Sequence, residues 1–130
     1  MFKIKRDQMN VLRQAGLEGF VEKMREHLSV TFPRETRELG QKALEETIWY
    51  GIGRAETHEV TSERDVCLYL GLMLVFGRDF DREHAFAREI LADKSVPRPS
   101  ERMDRLQAEG EARAAEDDPE LSEQPEEMEA

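Results

Sequence analysis

The stretch Thr61-Ser62-Glu63-Arg64-Asp65-Val66-Cys67-Leu68-Tyr69-Leu70-Gly71-Leu72-Met73-Leu74-Val75-Phe76-Gly77 decides the fold class. A hydroxyl residue followed by acids in the first turn is a helix start, because the side-chain oxygen takes an unpaired backbone donor and the acids favour the positive end of the helix dipole. Val66, Leu70, Met73 and Leu74 then fall on one side and Leu68, Leu72, Val75 and Phe76 on the other. A helix apolar nearly all round belongs in the centre of a bundle. Gly77 stands where a left-handed residue usually closes a helix. The run Cys67 to Phe76 is about half of what a bilayer crossing needs, so no membrane partner is expected.

Working outward, Met9, Leu12, Phe20, Met24 and Leu28, with Leu17 and Val21 beside them, keep three-and-four spacing and predict a long helix from Asp7 to Ser29. Phe32-Pro33 ends it and opens a short helix over 33–39, since proline suits a first turn but not a helix interior. Gly40 punctuates, and Ala43, Leu44, Thr47, Ile48, Ile52 and Ala55 carry another stripe from Gln41 to His58. Gly51 and Gly53 within it weaken the helix by about 1 kcal/mol each unless a neighbour packs close. After the loop Arg78-Asp79-Phe80-Asp81, Asp81 is expected to cap a helix from Arg82 to Leu91, with Phe80 stapled onto Ala85 or Phe86.

The predicted fold is therefore all-α: a compact bundle of about four helices forming one domain, residues 1–93. Residues 94–130 are expected to lie outside it. Val96 to Ser100 reads as a linker, Glu101 to Glu116 as a charged helix with Met103 and Leu106 its few apolar anchors, and the rest as a disordered acidic tail. Of the net charge of -10, eight acids between residues 116 and 130, with no Lys or Arg, leave only -2 for everything before. Such a balance repels phosphate backbones, and no basic stripe with interleaved aromatics offsets it, which argues against nucleic acid as a partner. Met-Phe-Lys-Ile-Lys-Arg is followed by Asp7, Gln8 and Asn10 where a signal peptide needs an apolar run, so the expected location is the cytoplasm.

Chemistry-bearing motifs are missing from the sequence pattern. His27, His58 and His84 lie on three segments without a second ligand at metal-binding spacing, and the single Cys67 sits among apolar residues as a small core residue. Asp79-Phe80-Asp81-Arg82-Glu83 mimics a calcium loop only at first sight, since His84 and Ile90 stand where the loop requires glycine and a bidentate glutamate. No catalytic residue, metal site or cofactor is predicted. The corner is nevertheless rich in residue types of interface cores. Met73, Phe76, Gly77, Arg78, Asp79, Phe80 and Asp81 are the expected partner-binding residues.

The segment Val60 to Leu70, followed by Leu72-Met73-Leu74-Val75-Phe76-Gly77-Arg78-Asp79-Phe80-Asp81, resembles a family of small bacterial proteins with a Thr-Ser-Glu-x-Asp helix start and a Phe-Gly-x-Asp-Phe-Asp corner. Ile4 to Leu28 and Phe32-Pro33 extend the likeness over residues 1 to 92. Glu83-His84-Ala85-Phe86-Ala87 stands where that family carries more proline and tryptophan. Its genes accompany type VI secretion effectors and the adaptor chaperones that load them. The resemblance implies a non-enzymatic accessory protein or co-chaperone that binds an effector or its loading adaptor. Two other readings are an immunity protein that neutralises a cognate toxin, its acidity mimicking nucleic acid, and a small metal-dependent enzyme or regulator using Asp79, Asp81 and His84.

Overall fold

The computed structural model describes the backbone of residues 2–117 and the side chains of residues 16–116. Among the described residues the chain is all-α, with seven helices and no strand. The expected count of four is too low because the segments around the long helices form short helices of their own. Contacts divide the chain into two units, one ending at Tyr50 and the other starting at Gly51, where a single bundle domain had been expected.

In the first unit, α1 (Phe2–Thr31) buries Phe20, Val21, Met24 and Leu28, the three-and-four stripe read from the sequence. Met9 and Leu12 lie outside the described side chains. Pro33 opens α2 (Pro33–Leu39), and Thr36 Oγ1 turns back to donate to the Phe32 carbonyl at 2.9 Å. Gly40, at φ 84°, then turns the chain into α3 (Gln41–Thr57), where Leu44 and Ile48 are fully buried. Arg25 bridges Glu22 at 2.7 Å and Glu45 at 3.1 Å. The division between the units falls within α3.

The second unit is organised by α4 (Glu63–Phe76). Ser62 Oγ accepts the Asp65 backbone N–H at 3.2 Å, so the helix starts where its capping chemistry predicted. It ends on Gly77, whose N–H donates to the Met73 carbonyl at 2.9 Å. Gly77 sits at φ 117° and ψ 158°, which is not the left-handed helical conformation expected but an extended region that only glycine enters easily.

Two features of this unit differ from expectation. First, the segment after the corner is not one helix capped by Asp81. Asp79 holds the N-cap position of α5 (Phe80–Glu83), and His84, at φ -99° and ψ 122°, separates it from α6 (Ala85–Leu91). His84 Nε2 donates to the Phe76 carbonyl at 3.3 Å and its ring lies edge-on to Phe76 and Phe86, which fixes the break. Phe86 is itself buried.

Second, the packed body does not stop at Asp93. Helix α7 (Pro99–Asp117) packs against α4 and α6, with Met103 and Leu106 fully buried. Gly110 has no side chain to hold the helices apart, and a Cβ there would lie 2.7 Å from Leu72 Cδ2. The segment before α7 is fastened by the buried Arg102, whose Nη1 donates to the carbonyls of Val96 at 2.6 Å and Pro97 at 3.2 Å. At the other end of the contact, buried Asp65 accepts from Ser100 Oγ and from Arg64 Nη1, while Arg64 also reaches Asp104. The acidic tail from residue 118 lies outside the described residues.

Candidate functional site

The structure separates the seven residues singled out as a partner-binding corner. Met73 is buried, and Phe80 is fully buried against Tyr69, with ring centroids 4.9 Å apart. Asp81 is buried as well. These three do not form an accessible surface, which corrects the expected site: the aromatic corner closes the second unit internally. Phe76 is half-buried between His84 and Phe86. Gly77 makes the turn, Arg78 is exposed, and Asp79 accepts from Arg82 Nη2 at 2.7 Å.

Asp81 is instead the centre of a polar cluster drawn from three helices and the turn after α3. Its Oδ2 accepts Arg54 Nε at 3.0 Å and Nη2 at 2.7 Å, from α3. The same oxygen accepts Tyr69 Oη, from α4, at 2.8 Å, and lies 2.9 Å from Nε2 of His58, just past the end of α3. With the carboxylate ionised, Nε2 of His58 is the protonated nitrogen of the neutral ring. Oδ1 is buried and has no hydrogen-bond partner among the described residues.

Burial works against the charged form of Asp81, but the hydrogen bonds from His58, Tyr69 and Arg54 outweigh it and hold the carboxyl below its ordinary range. The Tyr69 phenol is pushed up strongly, first by burial and then by its bond to Asp81, and stays protonated at any physiological pH. Arg54 is raised by its bond to Asp81 against the opposing effect of burial. The cluster is thus a carboxylate neutralised by one guanidinium, with an imidazole and a phenol as further donors. Arg54 and His58 are four residues apart, the spacing that places side chains on one helix face, yet their acid lies 27 and 23 residues further on. No local pattern announces it.

The third feature is the side of α4 that faces away from the buried residues Val66, Tyr69, Leu70 and Met73. Cys67, Leu68, Gly71 and Leu74 are half-buried, and Val75 is 44% exposed. The spacings of three and four make these residues one continuous stripe. Arg64 and Arg78, both exposed, extend it at either end in the same register. A helix predicted to be central is therefore incompletely covered, and Cys67 is not the core residue expected. Burial still pushes its thiol up, away from the reactive thiolate.

Among the described residues no group of three or more His, Cys, Asp or Glu side chains could hold a metal ion, and no helix is long and apolar enough to cross a membrane. Asp79, Asp81 and His84 diverge in the structure, toward Arg82, the Asp81 cluster and the Phe76 carbonyl respectively. No family model, curated protein or solved structure matches this chain.

Proposed function

We propose that this protein is a non-enzymatic binding module, an accessory or co-chaperone type protein that holds a type VI secretion effector or its loading adaptor, with the partner seated along the outer face of α4. The observation that carries the reading is the incompletely covered stripe Cys67, Leu68, Gly71, Leu74 and Val75. Apolar residues in that register match an amphipathic helix laid along a groove. Gly71 at its centre permits close approach. The association with secretion comes from the resemblance of the α4 start and the following corner.

The test is an affinity pull-down of the tagged full chain from its native bacterium, with mass spectrometry, using the wild type and Val75→Asp. Val75 tolerates a charge better than the buried face, so circular dichroism of the variant should match the wild type. Recovery of a secretion adaptor with its effector, weakened about tenfold or more by Val75→Asp, is the expected result. Recovery of a toxin domain alone would replace the reading with immunity. Equal recovery by both proteins would remove α4 as the binding face.

A further inference from the structure

The ring of Phe86, in α6, carries a cation. The guanidinium carbon of Arg113, near the end of α7, lies over the ring at 4.7 Å from its centroid. The face of an aromatic ring attracts cations, and arginine is the commonest of them. Phe86 is buried, whereas the Arg113 side chain keeps 47% of its surface in solvent, so this guanidinium lies between the ring and the water.

The platform does not depend on its occupant. Phe76, from α4, and His84 both pack edge-on against Phe86, with centroids 5.5 Å and 5.7 Å away, and His84 is itself tied to the Phe76 carbonyl. The occupant, in contrast, is lightly held. Arg113 Nε donates to Glu109 of its own helix at 3.0 Å, an exposed pair of the kind that contributes little. Met103 and Leu106 anchor α7 before Gly110, but none of the side chains of residues 111–116 is buried. A glycine is a weak point in a helix. The last turns can therefore swing aside at Gly110 while the anchored part of α7 stays in place.

We propose that the Phe86 ring, with Phe76 and His84 beside it, is a docking site for an arginine of a basic peptide segment on a partner, and that Arg113 occupies it in cis until that arginine displaces it. Phe76 lies against Gly110, so the site is on the α7 side of α4, apart from the outer face of that helix, and it does not rest on the partner reading above. Charge identifies the partner. Arg113 is the last basic residue of the chain, and eight acids follow it between residues 116 and 130. A basic segment finds one aromatic face for an arginine and a run of acids for the cations flanking it. An apolar helix would gain neither, and an acidic segment would be repelled.

The experiment titrates the full chain with a fluorescein-labelled oligoarginine peptide, read by anisotropy, and follows the Arg113 side chain by NMR in the same series. In the free chain the Phe86 ring current moves the Arg113 signals away from ordinary arginine values, and at saturation they should return there. Arg113→Gln removes the cis occupant and should tighten binding about fivefold, as expected for the loss of one competing cation–π contact. Arg105→Gln removes the same charge from another exposed arginine of α7 and should leave affinity within about twofold of the wild type. Both arginines are exposed, so both variants should keep the circular dichroism of the wild type. The pair separates the ring from general attraction by the acids, which both variants alter equally. Absence of saturable binding, equal affinities of the two variants, or Arg113 signals that stay ring-shifted at saturation would overturn the proposal.

Discussion

Gly51 and Gly53 are two residues apart in one helix, yet replacing each with alanine should shift stability in opposite directions. Alanine in place of a helical glycine gains about 1 kcal/mol from the reduced freedom of the unfolded chain. At Gly53 nothing lies within 4 Å of the position a Cβ would take, so the gain is kept and Gly53→Ala should stabilise by about 0.5–1 kcal/mol. At Gly51 the new methyl would lie 2.6 Å from Met73 Sδ and closer still to Leu70 Cδ2. Both neighbours are buried in the face that α4 presents to α3. Overpacking of that kind costs about 1–3 kcal/mol, and the pliancy of methionine favours the lower end. Set against the helical gain, Gly51→Ala should be destabilising by about 0–2 kcal/mol, leaving the two variants about 1–3 kcal/mol apart. Urea unfolding followed by far-ultraviolet circular dichroism resolves this, because a slope of about 1–3 kcal/mol per molar separates the midpoints by roughly 1 M. Equal stabilisation by both substitutions would mean that α4 does not pack against α3 at Gly51, and the close approach inferred here would be wrong.

Asp81→Ala, which strands the Arg54 guanidinium and the Tyr69 hydroxyl, should destabilise by about 3 kcal/mol, at the low end for a broken buried pair because Arg54 and His58 reach solvent; urea midpoints measure it. Since the carboxyl of Asp81 is held below its ordinary range, its contribution is present above the unfolded value of about 3.9 and is lost as pH falls through the lower folded value. The melting temperature of Asp81→Asn should accordingly fall less steeply than that of the wild type in this acid range. Met103→Ala should cost about 2–5 kcal/mol by opening a cavity beneath α7, whereas a helix lying free of the body would show almost no change in the same unfolding assay. Ser62→Ala should cost about 1 kcal/mol and increase hydrogen exchange in the first turn of α4.

Where the chemistry is local, the sequence was legible. Phe32-Pro33 marks the break between α1 and α2, Gly40 separates α2 from α3, Ser62 starts α4 and Gly77 ends it, each through a donor, a ring or a missing Cβ acting within a few residues. The Asp81 cluster was not legible for the converse reason. An aspartate two residues from a helix start has two competing uses, as a cap or as a buried acceptor, and the choice was made by Arg54, His58 and Tyr69, which lie 12 to 27 residues earlier. The aromatic corner misled in the same way, since a phenylalanine such as Phe80 is common to interface cores and to interiors, and only burial tells the two apart.

Helix α7 shows most directly why its place was missed. Its sequence is mostly polar, and two apolar anchors suggest a helix lying free of the body. Three further residues, none of them apolar, attach it: Gly110, which by lacking a Cβ lets Leu72 and Phe76 lie against its backbone, Arg102, which satisfies the carbonyls of the preceding segment, and Ser100, which donates to buried Asp65. Read along the chain, a glycine weakens a helix and an arginine marks a solvated face. In the folded second unit each meets a need of its neighbours, so hydrophobic periodicity, which sees only apolar faces, undercounts how firmly such a helix is held.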